Sequence, residues 1–219
     1  MESNNHISKH SGLKLGVIAA ACMLFAGFAL STQRNLFEPV EGSTMTEADI
    51  ASAPDPEKAK AAFKEAATVF FSARCANCHP AGDIPTQGDD MTPHMQGVTR
   101  GPEGRGVYGQ TCTTCHQKEN LDGAHMPPGT SVAWHMPPAD KKMVFQGLTP
   151  GQLCRQFKDP NKNGGHKTLK ESMDHVQKKD PLVMWAWEPG NGRTVPPMSF
   201  ETFAAKVQEW VDNGGACPE

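Results

Sequence analysis

Two copies of a five-residue pattern, Cys-x-x-Cys-His, give this chain its most specific chemistry. They consist of Cys75, Cys78 and His79, and of Cys112, Cys115 and His116. Cysteines at this spacing can each form a thioether to a vinyl group of a haem, because one turn of chain spans the two vinyls. The adjacent histidine can then ligate the iron. The pattern therefore predicts two covalently bound haem c groups, with a proximal histidine for each iron.

Chance does not account for two copies. With seven Cys and nine His in 219 residues, random order would give about 0.01 such patterns per chain. A Cys-x-x-Cys pair can also form a thioredoxin-like redox site or half of a four-cysteine zinc site. Neither alternative requires a histidine directly after each pair, so haem attachment is the favoured interpretation.

The ligand on the opposite face of each iron separates an electron carrier from a catalyst. A histidine or methionine there gives a six-coordinate carrier, whereas an open position permits ligand binding or peroxide chemistry. We predict His94 and His135 as the distal ligands, since both lie in loops beside prolines that stiffen the chain. Weaker distal candidates are Met136, Met143 and His175. The competing interpretation is that these side chains only fill a core or lie in solvent.

The N-terminus resembles an export signal. Residues 1–14 are polar and include Lys9 and Lys14, and residues 15–30 are almost wholly apolar. This order fits a cleaved signal peptide or an uncleaved membrane anchor, and the sequence leaves both open. Haem attachment of this type takes place outside the bacterial cytoplasm. We therefore expect a periplasmic protein, tethered to the inner membrane through residues 15–30 or soluble after cleavage.

The remainder divides into a tether and one domain. Residues 31–54 are rich in Ser, Thr, Glu, Pro and Ala and predict a flexible tether. Residues 55–219 predict a mostly α domain with extensive loops, comprising a haem-bearing part (55–147) and a helical part (148–219), with no alternating pattern typical of strands. Only 37% of residues are hydrophobic, so two haems would supply much of the apolar interior. The net charge of −3 does not indicate a nucleic-acid partner.

Local signals within the domain predict four main helices. Asp55-Pro56-Glu57 begins the first, which leads into the first haem pattern. Thr149-Pro150-Gly151-Gln152 begins a second, Leu169, Met173 and Val176 mark a third, and Ser199 begins the last. Asp180-Pro181 opens a short apolar turn with Trp185 and Trp187.

The two further cysteines of this domain, Cys154 and Cys217, predict a disulfide, because an even remainder in an oxidising compartment favours pairing. Two separate buried thiols are the alternative. The tryptophans are interpreted as core or haem-packing residues, with an electron relay as the alternative. The basic segment 155–179 predicts either a docking face for an acidic redox partner or a solvated helical surface.

Several stretches resemble a family of small exported dihaem c-type proteins, often labelled isoquinoline 1-oxidoreductase subunits. They span most of residues 70–218 and include residues 78–83, 87–90, 100–102, 134–135, 153–156, 158–160, 163–165, 180–183 and 185–187 and the terminal Cys217-Pro218. The resemblance implies a small cytochrome c-like dihaem domain that serves a dehydrogenase as electron-transfer partner. It does not imply dehydrogenase activity, because the chain has neither the size of a molybdopterin domain nor the cysteine spacing of a ferredoxin cluster.

The sequence thus predicts a periplasmic carrier of single electrons between a dehydrogenase and a downstream cytochrome or oxidase. The alternative is a dihaem redox enzyme, peroxidase-like, with one open haem position. No acid–base constellation stands out to favour the enzyme. A haem-based sensor is a further alternative, for which no signalling domain is present.

Overall fold

Helix α1 (Pro56–Phe70) begins where the sequence predicts. The Asp55 side chain accepts hydrogen bonds from the backbone N–H groups of Glu57 and Lys58, and Pro56 occupies the first turn. Its buried face consists of Ala59, Ala62, Phe63, Ala66, Ala67, Val69 and Phe70. The computed structural model describes residues 53–219. The predicted signal or anchor (1–30) and nearly all of the tether (31–54) lie outside the described residues.

The helical part of the domain supplies the rest of the core. After the short α2 (Ala73–Ala76) come α3 (Pro150–Phe157), α4 (Leu169–Gln177), α5 (Pro181–Met184) and α6 (Phe200–Asp212). Helix α6 packs along α1 and also contacts α4, while α3 packs against α1. The four main helices therefore enclose one apolar cluster.

Aromatic rings fill this cluster. The Phe63 ring lies 4.5 Å from that of Trp210 between centroids. The Phe70 ring lies 5.1 Å from Phe145, 4.9 Å from Phe157 and 5.0 Å from Phe203. Edge-on and tilted arrangements at these distances are favourable for aromatic pairs. Phe145 comes from the irregular segment, so the core extends toward the first Cys-x-x-Cys-His pattern.

The predicted helix starts and the disulfide are confirmed. Helix α3 carries the complete capping box between Thr149 and Gln152, and the Ser199 hydroxyl caps α6. Cys154 and Cys217 are joined by a disulfide. This bond fastens the end of the chain to buried helix α3.

The segment between α2 and α3 is irregular, as expected, but it contains two small hairpins that the sequence did not predict. Strand β1 (Thr86–Gln87) pairs with β2 (Thr92–Pro93), and β3 (Gly106–Val107) pairs with β4 (Gln110–Thr111). One-turn 3₁₀ helices follow at Cys112–Thr114, Ala139–Lys141 and Trp185–Trp187. The predicted mostly α fold is confirmed at that level. No helix within residues 53–219 is long and apolar enough to span a bilayer.

Candidate haem centres

Each Cys-x-x-Cys-His pattern forms one tight turn. In the first, the amide of Cys78 donates to the carbonyl of Cys75 at 3.2 Å at the end of α2. In the second, the amide of Cys115 donates to the carbonyl of Cys112 at 3.2 Å. All four cysteines are free thiols. Both patterns therefore form a compact loop, as two thioether bonds to one haem would require.

The His79 imidazole is held by a hydrogen bond and a stacked ring. Its Nδ1 lies 2.7 Å from the carbonyl oxygen of Met143, and its ring stacks on Phe145 with centroids 4.0 Å apart and planes 12° apart. A carbonyl can only accept, so Nδ1 must carry the proton. The lone pair of this tautomer therefore lies on Nε2, the nitrogen that ligates a metal when Nδ1–H is bound to a carbonyl.

The His116 imidazole has the same two supports. Its Nδ1 donates to the carbonyl oxygen of Pro128 at 2.8 Å, and its ring stacks on Trp134 with centroids 4.6 Å apart and planes 7° apart. Burial is the main cause that lowers the pKa of His116, and the neighbouring His94 lowers it further. Both proximal candidates are therefore oriented and kept in the tautomer that can bind iron.

His94 lies opposite His116. It follows β2, where its amide donates to the carbonyl of Pro85 at 2.9 Å. The ring centroids of His94 and His116 are 6.2 Å apart, with planes at 62°. The Nδ1 atom of His94 is buried without a hydrogen-bond partner, and burial lowers the pKa of this imidazole, an effect that Gln96 partly offsets. A half-buried imidazole with one buried nitrogen that has no hydrogen-bond partner could serve as a metal ligand.

The spacing of these two rings provides a test of whether haem iron fits. A metal–imidazole bond is about 2 Å long and a ring nitrogen lies about 1.1 Å from its ring centre, so trans imidazoles have centroids about 6 Å apart. The observed 6.2 Å agrees with this value. In their separation, the residues present are therefore compatible with an iron held between His94 and His116. The sequence named His94 as a distal candidate but could not say which iron it would face.

The other distal candidates are differently placed. His135 is half-buried, and its Nδ1 donates to the carbonyl of Ala133 at 2.8 Å. Met136 is 3% exposed, and its amide binds the carbonyl of Gly104 at 2.8 Å. His175 lies in α4, with its side chain outside the described part of the chain. Neither His135 nor Met136 is assigned to an iron by a contact in residues 53–219.

Met143 contacts His79 through its backbone. Its carbonyl accepts the hydrogen bond from Nδ1 of His79 at 2.7 Å, and its side chain packs against the apolar cluster of the helices. Met143 therefore helps to orient His79.

The two patterns adjoin in space. Burial raises the pKa of Cys75 to about 12 and that of Cys78 to about 11, and the Cys112 thiol of the other pattern also raises the pKa of Cys78. Arg74 acts in the opposite direction on both thiols. The thiol of Cys112 is thus near enough to Cys78 to affect its pKa.

The described residues contain no assembled zinc site. Within residues 53–219, no three side chains of His, Cys, Asp or Glu converge as they would around a metal ion. A haem iron needs only two side-chain ligands, because the porphyrin supplies the other four. Comparisons of the chain with protein-family models, with curated proteins and with solved structures find no match.

Two supporting residues were not identified as site residues from the sequence. Phe145 stacks on His79, and Arg74 has a buried guanidinium beside the first pattern. The sequence contains a weak signal for Arg74, because it is a charged residue directly before the first Cys-x-x-Cys-His pattern. Phe145 carries none, because its contact joins positions far apart in sequence.

Proposed function

We propose that this chain is a dihaem c-type cytochrome, with a small cytochrome c-like domain, that carries single electrons between periplasmic redox proteins. The observation that supports this most directly is the pair of imidazoles from His94 and His116, whose centroids are 6.2 Å apart. Their loops belong to different parts of the chain, and the Nδ1 of His94 is buried without a hydrogen-bond partner.

Different side chains would attach, ligate and orient the two haems. The cysteines of each pattern would form the thioethers, and His79 and His116 would bind iron through Nε2 while their Nδ1–H groups remain on carbonyls. Phe145 and Trp134 keep these imidazoles from rotating. A bound haem supplies one-electron iron chemistry, with a potential set by its axial ligands and by nearby charge.

Ligation of the second iron by His94 and His116 would leave no position for peroxide at that haem, and their 6.2 Å separation supports such a pair. The choice between a carrier and an enzyme with one open position then depends on the first haem, for which we propose a closed site. For the first haem, the proposed distal ligand is His135 or His175. A dehydrogenase as donor and a cytochrome or oxidase as acceptor are the proposed partners. Export through the N-terminal segment, with or without a retained anchor, completes the proposal.

Attachment is tested by expressing the chain with and without a cytochrome c maturation system. We expect two haems per chain that survive denaturation, only when the system is present, and one haem when both Cys112 and Cys115 are replaced by serine. Absence of covalent haem in the wild-type protein would overturn the proposal.

Carrier function is tested by the absorption spectra of oxidised and reduced protein and by titration with carbon monoxide. We expect low-spin spectra and no rapid carbon monoxide binding. Rapid binding of one carbon monoxide per chain by the wild type would instead identify an enzyme-like open haem. Replacing His135 or His175 with alanine assigns the first haem's ligand, because only the true ligand's loss opens that site. His125→Asn is the matched control, since His125 is exposed and asparagine tolerates its positive φ of 64°.

A further inference from the structure

The peptide unit that orients His116 is itself held from its other side. Its carbonyl, that of Pro128, accepts from Nδ1 of His116 at 2.8 Å. The N–H of the same planar unit belongs to Gly129 and donates to Oδ1 of Asn120 at 3.1 Å. The carbonyl and the N–H of a trans peptide point in opposite directions, so His116 and Asn120 lie on opposite sides of one rigid group. A side chain at Gly129 would collide with the carbonyl oxygen of Glu119, so glycine is needed for this approach.

The same oxygen of Asn120 also holds the stacked support of His116. It accepts from Nε1 of Trp185 at 2.9 Å. Trp185 contacts Trp134 with centroids 4.9 Å apart, and Trp134 stacks on His116. Both N–H groups at Asn120 can only donate, so the carboxamide oxygen must face them. One side-chain atom therefore fixes both the hydrogen-bonded and the stacked support of this imidazole.

Gln156 makes the equivalent contact behind His79. Nδ1 of His79 lies 2.7 Å from the carbonyl oxygen of Met143, and the N–H of that peptide unit, which belongs to Val144, donates to Oε1 of Gln156 at 3.3 Å. Nε2 of Gln156 donates to the carbonyl of Val144 at 2.7 Å, which fixes the end of the carboxamide that faces the N–H. Gln156 lies in helix α3, whereas Asn120 lies in a loop. Two unrelated elements therefore supply the same chemical group at the two proximal histidines.

We propose that Asn120 and Gln156 are positioning residues, each of which sets the reduction potential of one haem through its proximal histidine. Asn120 acts on the second haem through the peptide unit that binds His116. Gln156 acts on the first haem through the peptide unit that binds His79. This inference rests on the proposed function and deepens it, because it gives each haem of one small domain its own means of adjustment.

The effect has a defined sign. A peptide N–H that is hydrogen-bonded polarises its own unit, so the carbonyl of that unit becomes a stronger acceptor. A stronger bond from Nδ1–H makes the imidazole a better electron donor to a metal. A better donor stabilises oxidised iron and lowers the reduction potential. Loss of either carboxamide oxygen should therefore raise the potential of the haem that it serves.

The test measures the midpoint potential of each haem in the wild-type holoprotein and in two variants, Asn120→Leu and Gln156→Met. Both substitutions remove the carboxamide and keep the length of the side chain. The haems are followed separately by electron paramagnetic resonance during redox titration, and the protein in which Cys112 and Cys115 are replaced by serine assigns the signal of the first haem. We expect Asn120→Leu to shift the second haem toward reduction by threefold, which is about 28 mV for a one-electron couple, and to leave the first haem unchanged. Gln156→Met should shift the first haem in the same direction and leave the second unchanged.

A second measurement follows the hydrogen bond itself. Reduced low-spin haem iron is diamagnetic, so the Nδ1–H protons of both proximal histidines can be observed by nuclear magnetic resonance. We expect the Nδ1–H of His116 to exchange with solvent roughly fivefold faster in Asn120→Leu than in the wild type, the factor that a net hydrogen bond contributes. The exchange of the His79 proton should be unaffected in that variant.

Asn120→Asp and Asn191→Gly are the matched controls. Aspartate keeps an oxygen for both N–H groups and adds negative charge, so the potential of the second haem should stay at or below the wild-type value. Asn191 donates to the carbonyl of Leu121 at 2.7 Å, and glycine suits its φ of 50°. Asn191→Gly removes an amide contact to the same loop and leaves the peptide unit that binds His116 intact, so it should change neither potential.

Selectivity separates a positioning role from a merely structural one. The inference is wrong if each carboxamide variant shifts both haems alike, or if neither shifts its haem more than Asn191→Gly does. It is also wrong if Asn120→Asp raises the potential of the second haem as Asn120→Leu does. Gln156→Met tests the same relation independently if Asn120→Leu yields little holoprotein. A wild-type protein without covalent haem would refute the proposed function instead.

Discussion

If the proposed ligation is correct, we expect replacement of His94 with alanine to open one haem position and to leave the other closed. In the wild-type structure the His94 imidazole stands 6.2 Å from that of His116 between centroids, the separation of two ligands on one iron. Alanine removes the imidazole and leaves His116 with its stacking contact on Trp134. The second iron then has five ligands, which gives a high-spin spectrum and a site for exogenous molecules.

The number of haems affected follows from the proposed pairing of His94 with His116 on one iron. Only one of two haems should become high-spin, so half of the total haem changes its spectrum. Carbon monoxide should bind at one molecule per chain, compared with none in the wild type. Added imidazole should reverse both effects, because the cavity left by the substitution has the size of the lost ring.

The assay is a carbon monoxide titration of the reduced holoprotein, followed by absorption spectroscopy, with and without imidazole. His125→Asn serves as the control and should bind no carbon monoxide. Two results would refute the assignment. If His94→Ala stays fully low-spin, another residue ligates the second iron. If it binds two molecules of carbon monoxide per chain, His94 supports the whole domain and is not a ligand of one haem.

Two predictions concern stability. Replacing both Cys154 and Cys217 with serine opens a loop that spans 63 positions, and the chain-entropy relation gives a loss of about 4 kcal/mol in the free energy of unfolding. Denaturant titration of this double variant and of the wild type measures the loss in the free energy of unfolding. An unchanged midpoint would contradict the estimate. Asp83→Asn should destabilise the protein near neutral pH, because Lys142 first, and then Arg100, lower the pKa of the Asp83 carboxyl. A carboxyl whose pKa is lower in the folded than in the unfolded state stabilises the folded protein at pH values above the unfolded pKa of about 3.9. The difference in Tm between Asp83→Asn and wild type should therefore shrink as the pH falls below that value. A difference in Tm that stays constant with pH would argue against the ion pairs.

Features with local causes could be predicted from the sequence. Helix α1 begins at Pro56 because Asp55 caps it and the proline fits its first turn. The disulfide between Cys154 and Cys217 followed from the number of cysteines outside the haem patterns. The hairpins were missed because each strand has only two residues, too few for an alternating pattern to form.

The candidate site was only partly predictable, for a related reason. His94 was named because of its residue type and its loop, yet its loop reaches forward to His116 and not back to His79, and no sequence signal encodes that choice. The sequence suggests a role for the sulfur of Met143, and the structure adds a contact of its backbone carbonyl with His79. Backbone groups are present at every position, so their roles depend entirely on which segments meet.

The sequence by itself predicts the covalent chemistry that we propose for this protein. Each pattern places two cysteines and a histidine within five residues, so the prediction of haem attachment does not depend on the rest of the chain. The tertiary structure decided that the rings of His94 and His116 meet, and it left the Nε of Arg74 buried without an acceptor. These features join residues that are far apart in sequence, and they arise only when packing of the loops on the helical core brings those residues together.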